Sequence, residues 1–402
     1  MLRKYWISMP SVSIHHRTAS EATKERTHQT GDQALDRILH KWDAQLQRHL
    51  ENKGEPPHLG MFIFSLSNLL DDPKRYKEKC KKAEKMLKQV LATDAYKPVF
   101  SGKPTSLIAE GDRQTIIETA RVLHETGSLS TLLRSEMLTG VWNIVHIPLR
   151  TFRPKRNKEM FVDHNVFPAP DGNGGFYNNK FLQAEIHRRF SINARAVVEF
   201  FNKFPFFSGQ LLVVPEPEKN HPQLLTKDLF SLMWDHAKAT RKENPNSIFA
   251  YNACGAGASV NHFHYHTGET RKPYPVTLPQ WKHNGGDQDY PLDCLVIRNK
   301  EDAWKMIEAT HYASMYLANG TTKQSSFTYN FMIYRGQMYF YPRQFDNGSG
   351  IAWFEASGNR LNGEAMPEER ILREYADIRL TEEQRNTLFL VHQQITATQA
   401  VA

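Results

Sequence analysis

Apolar residues first recur at helical spacing in "DQALDRILHKWDAQLQRHL", where Leu35, Ile38, Leu39, Trp42 and Leu46 fall on one face. The same texture continues to Lys88 and returns in "DRQTIIETARVLHET" and "STLLRSEML". Before Asp32 the chain is polar, mixed in sign and aperiodic, which reads as a mobile arm. After Gly140 the pattern shortens. "VWNIVHIPL", "GQLLVVPEP", "SIFAYNACG", "ASVNHFHYH", "TYNFMIYRGQMYFYPR" and "IAWFEASG" are strand-like runs bounded by Gly, Pro and Asn. Between them "SINARAVVEFFNKF", "TKDLFSLMWDHAKATRKE" and "KEDAWKMIEATHYASMYLANG" predict helices, with a helix start at Thr226 and Asp228 and a stop at Gly320. The expectation is an α+β chain with a largely antiparallel sheet: a mainly helical region over 1–140, then a sheet-based domain over 141–402.

One internal likeness sharpens this picture. "FFSGQLLVVPE" and "IYRGQMYFYPR" share two bulky residues, one spacer, Gly-Gln, four strand residues and Pro. Gly-Gln is read as the turn and Pro as the strand end. Two related half-units in one domain account for the repeat better than coincidence does.

Composition changes little. The chain of 402 residues is 40% hydrophobic and 23% charged, as globular proteins are. Cys80, Cys254 and Cys294 lie far apart without metal-ligand spacing, so a disulfide framework is not expected and a reducing cytosol fits. No apolar run reaches the ~20 residues of a membrane span, and the first residues lack a signal-peptide core. A cytoplasmic protein is the expectation. The net charge of +8 fits either a phosphate-rich partner or a solvated lysine-rich helix at "DDPKRYKEKCKKAEKMLKQVL". Only Tyr76 interleaves with those lysines, so the solvated helix is preferred and nucleic acid is not the expected partner.

The chemistry concentrates in "YNACGAGASVNHFHYHTGE". On a strand, His262, His264 and His266 point one way while Phe263 and Tyr265 point the other, so three imidazoles line an open face. Neighbouring histidines at ~6–7 Å can share a zinc ion, but the outer pair is ~13 Å apart and no carboxylate follows before Glu269. Metal is therefore the lesser reading. A neutral imidazole, with a reference pKa of ~6.5, is also a good nucleophile towards phosphorus when an acceptor holds its other nitrogen protonated. Such chemistry needs donors around the phosphate. Gly255 and Gly257 permit a tight turn with exposed N–H groups, and Ser259 adds a hydroxyl.

"NHFHYH" resembles the histidine triad motif, in which the middle histidine is the nucleophile. With "YN" and "GAGASV" ahead of it, the segment is more like the galactose-1-phosphate uridylyltransferase branch, and within it the diadenosine tetraphosphate phosphorylases and GDP-hexose phosphorylases. "NKFPFFSGQLLVVPEPEKNHPQLLTKDL", "SSFTYNFMIYRGQMYFYPR" and "AWFEASGNRL" are similar to further family segments, so the likeness runs from about Met160 to Asn362. It implies a HIT-like domain of two half-units, only one of them catalytic. His264 would accept a nucleoside monophosphate, and His262 would orient it or hold the local backbone. Asn252, Gly255, Gly257 and Ser259 would contact phosphates. Asn202 and Asn330 would shape the nucleotide side, with Lys203 and Arg343 neutralising the acceptor. The resemblance implies a nucleotide substrate, a phosphate-type acceptor and no required cofactor, a divalent ion carried by the nucleotide being compatible. Phosphorylases of this branch usually have Gln where this chain has His266, a residue commoner in the superfamily's hydrolases. A hydrolase on the same intermediate, a zinc site and a non-catalytic nucleotide sensor stay open as alternatives. The base, the acceptor and the oligomeric state are not read from the sequence.

Overall fold

A computed structural model describes residues 31–55, 57, 59–70, 77–94, 110–132, 135–138, 141, 143–152, 186–205, 209–219, 221–253, 255–258, 262–270, 273–316, 327–344, 372–373 and 375–397. The expected arm before Asp32, the "IAWFEASG" strand and the Gly320 stop lie outside these residues.

The first elements are helices: α1 (Gly31–Leu50), α2 (Leu59–Leu69), α3 (Lys77–Ala92) and α4 (Glu110–Thr126). Ile38, Leu39, Trp42 and Leu46 of α1 bury against Phe62, Leu66, Met86, Leu87, Val90 and Ile116, as the apolar stripe requires. The outer face of α3 carries the lysines, and Lys79 and Lys82 pair with Asp36 and Asp43 of α1. The lysine run is thus a partly neutralised helix face.

"STLLRSEML" is not a helix. A single 3-10 turn at Ser130–Leu132 gives way to strand β1 (Ser135–Leu138), which pairs antiparallel with β2 (Asn143–His146). Pairing with the strand-forming "NIVH" outweighs the local helical preference. A one-turn helix, α5 (Pro148–Thr151), follows.

The rest is built on one eight-stranded sheet in the order β3-β4-β5-β7-β6-β9-β10-β8, every pairing antiparallel. Its strands are β3 (Ile186–Ile192), β4 (Arg195–Phe201), β5 (Leu211–Pro215), β6 (Ser247–Asn252), β7 (Tyr265–Glu269), β8 (Leu295–Ile297), β9 (Phe327–Tyr334) and β10 (Gln337–Gln344). Helices α6 (Lys227–Glu243), α7 (Lys300–Tyr316) and α8 (Glu382–Ala397) complete an α+β architecture. One sheet face, with Phe249, Tyr251, Phe263, Tyr265, Phe331 and Phe340, packs on these helices through Phe230, Met233, Met306 and Leu388. The opposite face holds Ile248, Ala250, Met332 and Tyr339 against Tyr274, Val276 and Ile378.

"SINARAVVEFFNKF" is a hairpin, not a helix. Asn193 (φ 48°) and Ala194 (φ 61°) form a two-residue turn between β3 and β4, and positive φ at both positions matches the twist of the flanking strands. Val197 and Val198, poor helix formers and good strand formers, lie in the ladder. The helix expected at "TKDLFSLMWDHAKATRKE" is present as α6, its Thr226 side chain accepting from the Leu229 N–H.

The two Gly-Gln segments both open strands of the one sheet, β5 and β10. Their turns differ. Arg335 (φ 50°) and Gly336 (φ 83°) form the tight β9–β10 turn with Gln337 already in the strand, whereas β4 reaches β5 through the longer connection 202–210. Their second neighbours in the sheet differ too: β7, beside β5, follows it in the chain and lies towards the sheet's middle, while β8, beside β10, precedes it and forms an edge.

The helical region and the sheet share a core, because Phe201, Phe204 and Leu211 at the β4–β5 end join the cluster of α1 to α4.

Candidate functional site

The alternation in "HFHYH" survives, although the regular strand starts only at Tyr265. Phe263 and Tyr265 are fully buried on the helix-covered face. Residues 262–264 lie ahead of the ladder and are held by other bonds. The Phe263 N–H donates to the His221 carbonyl at 2.7 Å. Gln223, itself buried, grips His264 twice: its Oε1 accepts from the His264 N–H at 2.9 Å, and its Nε2 donates to the His264 carbonyl at 3.1 Å. The same Nε2 donates to the Asn252 carbonyl at 2.9 Å, tying the end of β6 to the segment before β7.

This clamp sets the geometry of His264. Its Nδ1 lies 2.8 Å from the His262 carbonyl oxygen. A carbonyl only accepts, so Nδ1 carries the proton and Nε2 keeps its lone pair. His262 therefore acts on His264 through its backbone. Burial, with His264 and His221 close by, pulls the His262 imidazole down to about 4, so it is neutral at neutral pH. The His264 and His266 rings meet edge to face with centroids 5.4 Å apart.

The expected open face is not found. His262, His264 and His266 are 1%, 3% and 8% exposed. Carboxamides crowd the end of the sheet. Gln210 Nε2 lies 3.0 Å from His266 Nδ1, and Asn252 Nδ2 3.5 Å from its Nε2. Asn330, opposite Asn252 in the β6–β9 register, donates to Asn252 Oδ1 at 2.8 Å and to the Ala256 carbonyl at 2.7 Å. The buried Asn330 thereby ties the glycine-rich loop to Asn252, whose side chain in turn reaches His266.

Within that loop Gly255 (φ 72°) and Gly257 (φ 90°) take the left-handed backbone that L residues avoid. Gly257 is exposed, and a Cβ there would meet nothing within 4 Å. Backbone conformation, not crowding, is what selects glycine at that position. Ser259 lies outside the described residues.

The remaining expected residues divide. Asn330 and Arg343 share one face of β9 and β10: Asn330 pairs with Tyr341, and Arg343, 4% exposed, pairs with Thr328 two positions on. Asn202 spends its Oδ1 on the Phe204 N–H at 3.1 Å, and its own N–H donates to the Gln210 carbonyl, so it shapes the loop that presents Gln210. The Lys203 carbonyl accepts from Ser67 of α2 at 2.7 Å, which places this loop against the helical region.

Sequence reasoning missed three participants: Gln223, Gln210 and His221. Gln223 lies three residues ahead of the Thr226 helix start and Gln210 within the Gly-Gln turn, so neither stands out in its local pattern. Among the described residues no group of three or more His, Cys, Asp or Glu side chains is placed to hold a metal ion, and no helix is long and apolar enough to cross a membrane.

Residues 179–268, which include the clamp, the glycine-rich loop and all three histidines, match the family model described as GDPGP1-like, N-terminal domain. The match bears out, over those residues, the resemblance to the GDP-hexose phosphorylases. No curated protein is matched in sequence. Among solved structures, yeast Ap4A phosphorylase Apa2 in complex with AMP is 12% identical, with 68% of this chain and 98% of that chain covered and a TM-score of 0.40. The same yeast enzyme in complex with Ap4A is 13% identical over 59% of this chain and 82% of that one, with a TM-score of 0.35.

Proposed function

We propose that the chain transfers a nucleoside monophosphate group from a nucleotide with a diphosphate link, through a covalent intermediate on His264, to phosphate or a phosphorylated acceptor. The observation that carries this reading is the 2.8 Å contact between His264 Nδ1 and the His262 carbonyl, which leaves Nε2 as the nucleophile. In the first step the Nε2 lone pair forms a bond to the α-phosphorus. The bond from that phosphorus to the bridging oxygen breaks, and the phosphorylated leaving group keeps the electron pair. In the second step an acceptor oxygen attacks the same phosphorus, the P–N bond breaks, and His264 is restored as a neutral imidazole. The N–H groups of the loop at Gly255 and Gly257, with Asn252 and Arg343, are the candidates to absorb charge in both transition states. The family match over 179–268 supports the assignment. A GDP-hexose or a dinucleoside polyphosphate is the substrate class favoured by the resemblance.

A second reading has its own observation. His266 stands where the phosphorylases of the resembled branch usually carry glutamine, and imidazole, unlike carboxamide, can move a proton to or from water. Hydrolysis of the same intermediate is that reading.

The test is a rapid acid-free quench of the protein with GDP-hexose or diadenosine tetraphosphate in the absence of phosphate, followed by mass spectrometry. A nucleoside monophosphate adduct on the peptide with His264 is expected, and adding phosphate should discharge it. No adduct with any such nucleotide, or one on another residue, overturns the mechanism. Discharge at an equal rate without phosphate decides for hydrolysis.

A further inference from the structure

At the other end of the central strands lies a cleft with a different character. It is a cavity of about 310 Å³ between α6, the start of α7 and the β9–β10 turn, floored by Trp234, Ala237, Phe249 and Ile333. Five cationic side chains line it, Lys238, Arg241, Arg298, Lys300 and Arg335, against one carboxylate, Asp235. Lys300 Nζ is paired with Asp235 at 2.8 Å. Among the described residues no carboxylate pairs with Lys238, Arg241, Arg298 or Arg335. Like charges gathered without counter-charges are unfavourable, and an anion between them removes the repulsion.

Two features hold the cations in place. Arg241 Nη1 donates to the Arg335 carbonyl at 2.8 Å, laying its guanidinium across the turn. It can lie there only because residue 336 is glycine: a Cβ at Gly336 would come within 1.8 Å of Arg241 Nη1. Below it, Asn299 caps α7, its Oδ1 accepting from the Asp302 N–H at 2.9 Å, so the positive end of this helix also faces the cleft. In register, Ile248 and Tyr334 mark this end of β6 and β9, and Asn252 and Asn330 the other, so the two sites are separated by roughly 13 Å of strand. They also lie on opposite faces of the sheet: Phe249 and Ile333 belong to the helix-covered face, Asn252 and Asn330 to the other.

We propose that this cleft is a second anion site that takes a small diphosphate-bearing molecule. Its volume is at the lower end of small-molecule pockets, ~300–1,000 Å³, which suits an inorganic diphosphate or a small organic diphosphate and not a whole dinucleotide. The inference does not depend on the chemistry assigned to His264.

Titration calorimetry with inorganic pyrophosphate on the full chain tests it, with hydrogen exchange locating the bound anion. Protection is expected in peptides spanning 298–302 and 333–338, and affinity should fall with added salt. Lys238 and Arg298 are exposed, so the double variant Lys238→Gln, Arg298→Gln should fold, and it should bind pyrophosphate at the cleft at least about tenfold more weakly. Arg241→Gln should weaken it as well. Protection confined to 252–266, or unchanged affinity in the double variant, overturns the proposal.

Discussion

Strand β6 joins two polar sites built on opposite principles. At its Asn252 end the groups are imidazoles and carboxamides, buried and bonded to one another through Gln223, Asn330 and the His262 carbonyl. At its Ser247 end they are guanidinium and ammonium groups, exposed and short of counter-charges among the described residues. Neutral groups that bond to one another can be buried, whereas five cations cannot, so the first end is held by direct hydrogen bonds and the second stays wet. Position suits a covalent step, and field suits the capture of an anion.

Loss of the His264 imidazole, the proposed nucleophile, separates the two ends most sharply. His264→Ala should lower turnover by about a thousandfold or more, leaving pyrophosphate binding at the basic cleft unchanged. Steady-state rates and calorimetry on one preparation check both halves. Turnover surviving the substitution would break the assignment of the Asn252 end as the reacting one.

The clamp comes next. Gln223→Leu leaves the His264 N–H and two carbonyls without their partner in a buried setting, so a loss of roughly 2–4 kcal/mol in stability is expected. Turnover should fall about ten- to a hundredfold, through misplacement of Nε2. Urea unfolding with parallel kinetics at temperatures where the variant remains folded measures the two effects separately. Stability lost with kcat unchanged would mean that the clamp is structural only.

Acid should act on the buried end alone. The His262 imidazole titrates at about 4 when folded, because of burial and its histidine neighbours, and near 6.5 when unfolded. Between those values the unfolded chain binds the extra proton, so stability is level above ~6.5 and falls as pH drops towards 4. The contribution is ~1–3 kcal/mol, with His311, buried and likewise lowered to about 4, adding in the same sense. Arginine and lysine do not titrate in that window. Unfolding free energies from pH 7 to 4 should therefore slope less in His262→Gln than in the parent, and equal slopes would contradict the burial of a neutral imidazole.

How much of this was legible beforehand follows from the range of each signal. The alternation of "HFHYH" and the Thr226 cap are encoded within a few residues, and both are where the pattern placed them. The hairpin at Asn193 and Ala194 misled because "ARAVVEFF" also fits a helical stripe, and the deciding feature was a turn requiring two positive φ values. Gln223 reaches His264 across 41 positions, and Asn330 reaches Asn252 across 78. No local pattern encodes such contacts, though the family resemblance pointed to the asparagines. The basic cleft gathers residues from 234 to 336, so its cations read singly as surface charge.

The smallest effect tests the finest point, the departure at His266. Its ring nitrogens face the carboxamides of Gln210 and Asn252, and its ring meets that of His264 edge to face, so it sits beside His264 without fixing its tautomer. Glutamine in its place keeps a donor of similar reach and removes only the ability to move a proton. His266→Gln should therefore change total turnover by less than about tenfold. The partition of the intermediate should shift, with more nucleotidyl group captured by phosphate and less by water. Product ratios at fixed nucleotide and rising phosphate give that partition directly. A collapse of turnover as deep as that of His264→Ala would make His266 part of the reacting pair, and the neutral end would then owe its activity to proton transfer as much as to position.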